Sequence, residues 1–218
     1  SLNNVGVMLV QLNRYKQARP ILERALSARK KELGNLHPEV GQAVNNLAFL
    51  LKEIGDYESA KVLFEEALHI WETSSGKDSL DTGYAVNNLG LVHAALGNFA
   101  TALSLYERAL TIREKAYGPN HPELIQALGN IAGLLSRTGD YKKSRPVFAR
   151  AITLCNEYLG NHPIAAHTFD GFGTLLSREG ELVEARFFYE KGLSIREKVF
   201  GPNHTMVAES LSNLGTVL

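Results

Sequence analysis

The sequence predicts an all-α fold, a right-handed α-solenoid of tandem helix-turn-helix repeats, on three observations that share one period. Gly55, Gly97 and Gly139 each open a short turn (Gly-Asp-Tyr, Gly-Asn-Phe, Gly-Asp-Tyr) at a spacing of 42 residues, and Gly180 follows after a one-residue deletion. A second glycine set, Gly34, Gly76, Gly118, Gly160 and Gly201, keeps the same beat. The third marker is a pair that reads Asn3-Asn4, Asn45-Asn46, Asn87-Asn88, Gly129-Asn130, Asp170-Gly171 and Ser212-Asn213. Three markers in register identify a repeat protein, and the period takes precedence over any local reading. One domain over residues 1–218 is expected, with repeats at 1–34, 35–76, 77–118, 119–160 and 161–201 and a partial repeat at 202–218.

Each repeat holds two helical patterns. Val40, Val44, Leu47, Leu50, Leu51 and Ile54 fall at helical spacing, Gly55 stops that helix, and Asp56 suits the N-cap of the next. From Tyr57 to Thr73 the apolar face is Ala60, Leu63, Phe64, Ala67, Leu68 and Trp71, and Gly76 ends it. No strand alternation or hairpin signal occurs. Applied along the chain, the rule predicts first (A) helices at 2–12, 39–54, 80–96, 122–138, 163–179 and 204–218, and second (B) helices at 15–33, 57–74, 99–117, 141–159 and 182–200. Small residues recur at fixed slots, Ala18, Ala60, Ala102, Ser144 and Ala185 on the B helices and Gly6, Ala48, Gly90, Ala132 and Gly173 on the A helices. Between the helices sit the large Leu22, Phe64, Tyr106, Phe148 and Tyr189, so each repeat buries one face on its neighbour. Pro20 and Pro146 are expected in first turns of B helices, where no donor is lost.

Lys and Arg balance Asp and Glu at 23 each, so no global field draws nucleic acid or an anionic membrane. No run reaches the roughly 18 apolar residues of a membrane span. The single cysteine, Cys155, excludes an internal disulfide and suits a reducing, cytoplasmic setting. Both ends fall inside a repeat, so a piece of a longer protein is expected, with Leu2, Val5, Leu211 and Leu214 inviting end-to-end self-association.

Helix pairs carrying these slots resemble tetratricopeptide repeats, whose usual period is 34 residues. The strings GDYESAKVLFEEALHI, GNFATALSLYERALTIREKAYGPNHPEL and FGPNHTMVAESLSNLG, at a period of 42, look like the kinesin light chain subclass. The resemblance implies a scaffold or adaptor part of a larger protein. It equally admits the sensor arm of a multidomain signalling ATPase, or a purely structural spacer.

No enzyme is expected, and no cofactor or metal. His37, His121, His162 and His204 occupy the same slot in four of the repeats, three of them before Pro. That spacing, on the order of 10 Å between stacked helices, cannot close around one metal ion; a His cap on each A helix is the reading. Cys155 has no His or Asp held beside it by spacing, so it is read as a partly buried thiol. GNIAGLL and DGFGTLL contain glycines but no P-loop lysine.

The asparagines are the candidate recognition residues. A carboxamide both donates and accepts, and can pair with the backbone of an extended peptide; the alternative is that it bridges neighbouring A helices. A concave groove is expected along the A helices, with Asn46 and Phe49 on the second, Tyr84, Asn87, Asn88 and Leu91 on the third, Gln126, Asn130 and Arg137 on the fourth, and His167, Asp170 and Arg178 on the fifth. An aromatic side chain would sit near Leu91 and carboxylates toward the arginines, matching the tryptophan-acidic cargo peptides that the kinesin light chain resemblance implies. The carboxylate clamp of chaperone-binding relatives, a Lys one turn before the Asn, is missing, because that slot holds Gln42, Tyr84, Gln126 and His167.

Overall fold

The computed structural model describes residues 1–218 and is all-α. Its A helices are α1 (Leu2–Gln11), α3 (Pro38–Glu53), α5 (Leu80–Ala95), α7 (Ile125–Arg137), α9 (Pro163–Glu179) and α11 (Thr205–Gly215). Its B helices are α2 (Tyr15–Leu33), α4 (Tyr57–Ser74), α6 (Phe99–Tyr117), α8 (Tyr141–Leu154) and α10 (Leu182–Phe200). These tandem helix-turn-helix repeats form an α-solenoid architecture. The chain divides into two compact units, Ser1–Ile112 and Arg113–Leu218, and the boundary falls within α6.

The A-to-B turns depend on one left-handed residue. Gly55, Gly97, Gly139 and Gly180 have φ between 81° and 85°. In the first repeat the slot is Asn13, with φ 58°, a conformation that Asn tolerates better than most residues. The next helix is capped where the sequence supplies an aspartate: Asp56 accepts from the Ser59 N–H and Asp140 from the Lys143 N–H, whereas Glu181 at the same slot makes no cap bond. A helices start on histidine. Nδ1 of His37, His121, His162 and His204 accepts the backbone N–H two residues on, at 3.2–3.3 Å. In two of the four the imidazole also stacks on an aromatic one turn earlier, Tyr117 on His121 and Phe200 on His204. Ser79 does the capping in the repeat that lacks the histidine, accepting from the Thr82 N–H.

In the first unit, Ala48, Leu51, Ala60, Phe64, Leu89 and Val92 form one core layer and Val40, Val44, Ala67, Ile70, Trp71 and Ala85 the next. In the second, Ala132, Phe148 and Leu175 pack together, and Leu176, Ala185 and Tyr189 repeat the arrangement. The small slots are required by contact. A Cβ on Gly90 would lie 2.7 Å from the Tyr106 ring, and one on Gly173 2.9 Å from the Tyr189 ring. Ser144 adds a bond that its alanine counterparts lack, from its hydroxyl to the Ala132 carbonyl at 2.7 Å.

Four expectations are corrected. Pro20 and Pro146 lie in the second turn, six residues into α2 and α8, so each does remove an intrahelical donor. The cost is limited because both prolines, and Lys16 and Lys142 whose carbonyls lose a partner, are exposed to water. The fourth A helix opens with a 3-10 turn at Pro122–Leu124 before α7. The fourth B helix is not α-helical to its end: Cys155–Leu159 form a π turn and Gly160 follows with φ 49°. The next loop, Gly160-Asn161-His162, is one residue shorter than Gly118-Pro119-Asn120-His121, and π turns absorb such changes of register. The last A helix ends at Gly215, short of the expected 218.

Candidate functional site

Successive A helices within a unit are cross-linked by side chains, and the chemistry of those links differs along the chain. In the first unit, Asn46 Nδ2 donates to Asn3 Oδ1 and Asn88 Nδ2 to Asn45 Oδ1, both at 3.0 Å. The bridging alternative for these asparagines is therefore what the structure contains, at least for one amide hydrogen of each. Asn46 and Asn88 remain half-buried rather than covered. The two members of each Asn pair face different ways. Of the first members, Asn3 and Asn87 are buried, Asn87 only 3 % exposed, while Asn45 is half-buried. Asn87 is thus removed from the accessible surface, because one residue along a helix rotates the side chain by about 100°.

The bridge from Asn45 to Asn88 sets the register of α3 against α5. Phe49 lies one turn after Asn45 on α3, and Tyr84 one turn before Asn88 on α5. Both are large aromatic side chains left open, at 37 % and 44 % exposure. Lys52 Nζ stands over the Phe49 ring at 4.6 Å and pairs with Glu53. Leu91 is half-buried. The A-helix face of this unit is aromatic and amide-rich, and Lys52 beside it is already paired.

In the second unit the link between A helices is cationic: Arg178 Nη1 donates to the Ser136 carbonyl at 2.9 Å, joining α9 to α7. Gln126, Arg137, His167 and Arg178 are exposed and Asn130 is half-buried. Gly133 is exposed and a Cβ there would meet nothing within 4 Å, so the middle of α7 is bare backbone surface. This face carries guanidinium groups where that of the first unit carries rings.

Asp170 is not a groove residue. It is 6 % exposed and its carboxylate is bound by Arg196 of α10, which also donates to Ser210 of α11. Burial pushes the Asp170 carboxyl up, while the hydrogen bond and charge of Arg196 pull it back down. The carboxylate takes the space where other repeats carry alanine. A Cβ on Gly192 would fall 2.1 Å from Asp170 Oδ1, and the equivalent positions are Ala25, Ala67, Ala109 and Ala151. Arg29 and Arg113, equivalent to Arg196, instead bond to backbone carbonyls of the following A helix, Glu39 and Glu123. Cys155 occupies the same slot, is buried, and its thiol is pushed up by burial against a hydrogen bond with Thr168. No group of three or more His, Cys, Asp or Glu comes together so as to hold a metal ion. No helix is long and apolar enough to cross a membrane.

A profile of the tetratricopeptide repeat matches residues 1–73, 81–157 and 123–198. No curated protein matches the sequence. Among solved structures, the chain is similar to a kinesin light chain-type protein of nearly identical TPR-like repeats from Podosopora anserina, at 18 % identity and a TM-score of 0.75, covering 91 % of this chain and 94 % of that one. It is similar to BtubC (BKLC) from P. vanneervenii at 18 % identity and a TM-score of 0.74, covering 90 % and 78 %. It is also similar to aspartyl phosphate phosphatase F from Bacillus subtilis, at 15 % identity and a TM-score of 0.80, covering 98 % of this chain and 54 % of that one. At these identities the likeness is one of fold.

Proposed function

The chain belongs to the tetratricopeptide repeat family, and from that premise we propose that it is a non-catalytic binding module that holds a partner segment against the A-helix faces. The observation that carries this reading is the exposure of Phe49 and Tyr84, two rings flanking the Asn45–Asn88 bridge. Aromatic side chains that fold without being covered contribute binding surface at low entropic cost. The face of the first unit suits an apolar or aromatic side chain. The face of the second, with Arg137 and Arg178, suits carboxylates. A segment combining aromatic and acidic residues offers a side chain to either face, each taken by itself. The 42-residue spacing of the glycines supports assigning the chain to the kinesin light chain-like branch of the family, in an adaptor or scaffold role.

The test is a thermal-shift titration with a synthetic peptide of one tryptophan followed by three glutamates. Binding at 100 times Kd raises stability by about 2.7 kcal/mol, a shift of several degrees. Tyr84→Ala and Arg137→Glu, each at an exposed position, are expected to reduce the shift at least tenfold in peptide concentration. A peptide that gives no shift at millimolar concentration would leave only a spacer.

A further inference from the structure

Within each unit successive B helices are joined by ion pairs, and one repeat departs from the pattern. Glu66 pairs with Lys30, Arg108 with Glu72 and Arg150 with Glu114, at 2.5–2.8 Å. The positions are equivalent in each case, and the charges are reversed in the first pair relative to the other two. Whichever sign the later helix carries, the earlier helix supplies the opposite one. In the fifth repeat the slot holds Lys191, and its counterpart on the earlier helix is the uncharged Asn156. Lys191 is the cation of this ladder that has no carboxylate. Its Nζ stands instead over the Phe187 ring at 4.8 Å and the Phe169 ring at 5.4 Å.

The residues along the same line of α10 are larger or more apolar than their counterparts. Val183 and Phe187, two turns and one turn before Lys191, are 81 % and 51 % exposed. Other repeats place Lys16, Glu58, Ala100 and Lys142 at the first position, and Pro20, Val62, Ser104 and Pro146 at the second. The neighbouring charges on this helix, Arg186 and Glu190, neutralise each other at 2.7 Å. What remains is an apolar strip about 12 Å long that ends on an ammonium group facing aromatic rings and no carboxylate.

We infer that the outer face of α10, through Val183, Phe187 and Lys191, docks an acidic amphipathic helix of a protein partner, whose apolar residues cover Val183 and Phe187 and whose carboxylate takes the place that Lys30, Glu72 and Glu114 fill in the other repeats. The charge rule of the ladder selects this occupant: a cation at the slot is matched by a carboxylate from the adjoining helix at both other positions where it occurs. The partner helix continues the same arrangement from outside. This surface is separate from the A-helix faces, and the inference stands whether or not those bind a peptide.

The experiment uses a fluorescein-labelled 18-residue helical peptide, alanine-based, with leucines at third and fourth positions along one face and glutamates flanking them. A matched peptide carries lysine for glutamate. Anisotropy is read against the whole chain, with amide chemical-shift mapping to place the contact. The glutamate peptide is expected to bind at least tenfold more tightly than the lysine peptide, with shifts centred on α10. Phe187→Ser, which installs the residue found at Ser104, is expected to weaken it tenfold or more. Lys191→Glu, which installs the residue found at Glu66, is expected to reverse the preference between the two peptides. Equal binding of both peptides, an unchanged affinity in Lys191→Glu, or shifts centred on the A helices would overturn the proposal. So would a concentration-dependent dimer in sedimentation that Phe187→Ser abolishes, since the strip would then be covered by a second copy.

Discussion

The two units of the molecule answer the same structural question with different chemistry. At the first position of the paired marker, the first unit places a neutral amide, Asn3 or Asn45, bonded to the next A helix, and the second places Asp170 against Arg196 of its B helix. At the outer junctions, Arg19 in the first unit folds back on Glu23 of its own helix, while Arg145, its equivalent in the second, crosses to Glu179 and Glu181. The residues facing Arg19 at the corresponding positions are Ile54 and Asp56, so only one carboxylate is offered, and a cleft of about 340 Å³ lined by Leu47, Leu51, Val62 and Leu63 stays open beside it. A repeat backbone thus fixes where side chains meet but not what they are. Each meeting point has only to be satisfied locally, by amide to amide, by ion pair, or by backbone carbonyl.

The largest test of that comparison is at the buried pair. Asp170→Ala leaves Arg196 charged and unpaired, and should cost about 3–5 kcal/mol in urea unfolding. Adding Arg196→Met to it should recover most of the loss, because the neutral slots of the first unit fold without a charge. A double variant no more stable than Asp170→Ala alone would mean the pair does more than compensate itself.

Glycines give the next effect, with opposite signs at two positions. Gly192→Ala places a methyl group against the Asp170 carboxylate and is expected to destabilise by about 1–3 kcal/mol, although every equivalent residue is alanine. Gly133→Ala meets open space and should stabilise by roughly 0.5–1 kcal/mol. Thermal melts of the two variants check the signs.

Smaller still is the junction effect. Arg145→Ala should cost up to about 1 kcal/mol, discounted because the guanidinium is partly exposed, while Arg19→Ala should leave the melting temperature unchanged. Ser144→Ala should be nearly neutral, since Ala132 keeps its place in the helix and alanine fills this slot in four of the five B helices.

How much of this was legible in the sequence follows from what a period can carry. The glycine and asparagine beats located every helix, and the His-Pro strings foretold the caps, because both depend on residues within a few positions of one another. Asp170 and Asn87 depart from the expected groove because a period places the pair as a whole, while one step along a helix, about 100°, separates a buried position from a half-buried one. Yet the sequence held a signal for Asp170. The fifth repeat alone combines an acid at that slot, glycine at 192 in place of alanine, and an arginine one turn further on. The π turn at Cys155–Leu159 had a weaker one, the proline missing from the following loop. Which asparagine hydrogens are engaged depends on helix-to-helix distance, and no spacing along the chain encodes that.

The central claim, that the A-helix faces carry recognition, is tested most directly by amide hydrogen exchange with and without the tryptophan-acidic peptide. Added protection concentrated on α3, α5, α7 and α9, and lost in Tyr84→Ala, is the predicted result. Protection confined to the B helices, or none at saturating peptide, would contradict it.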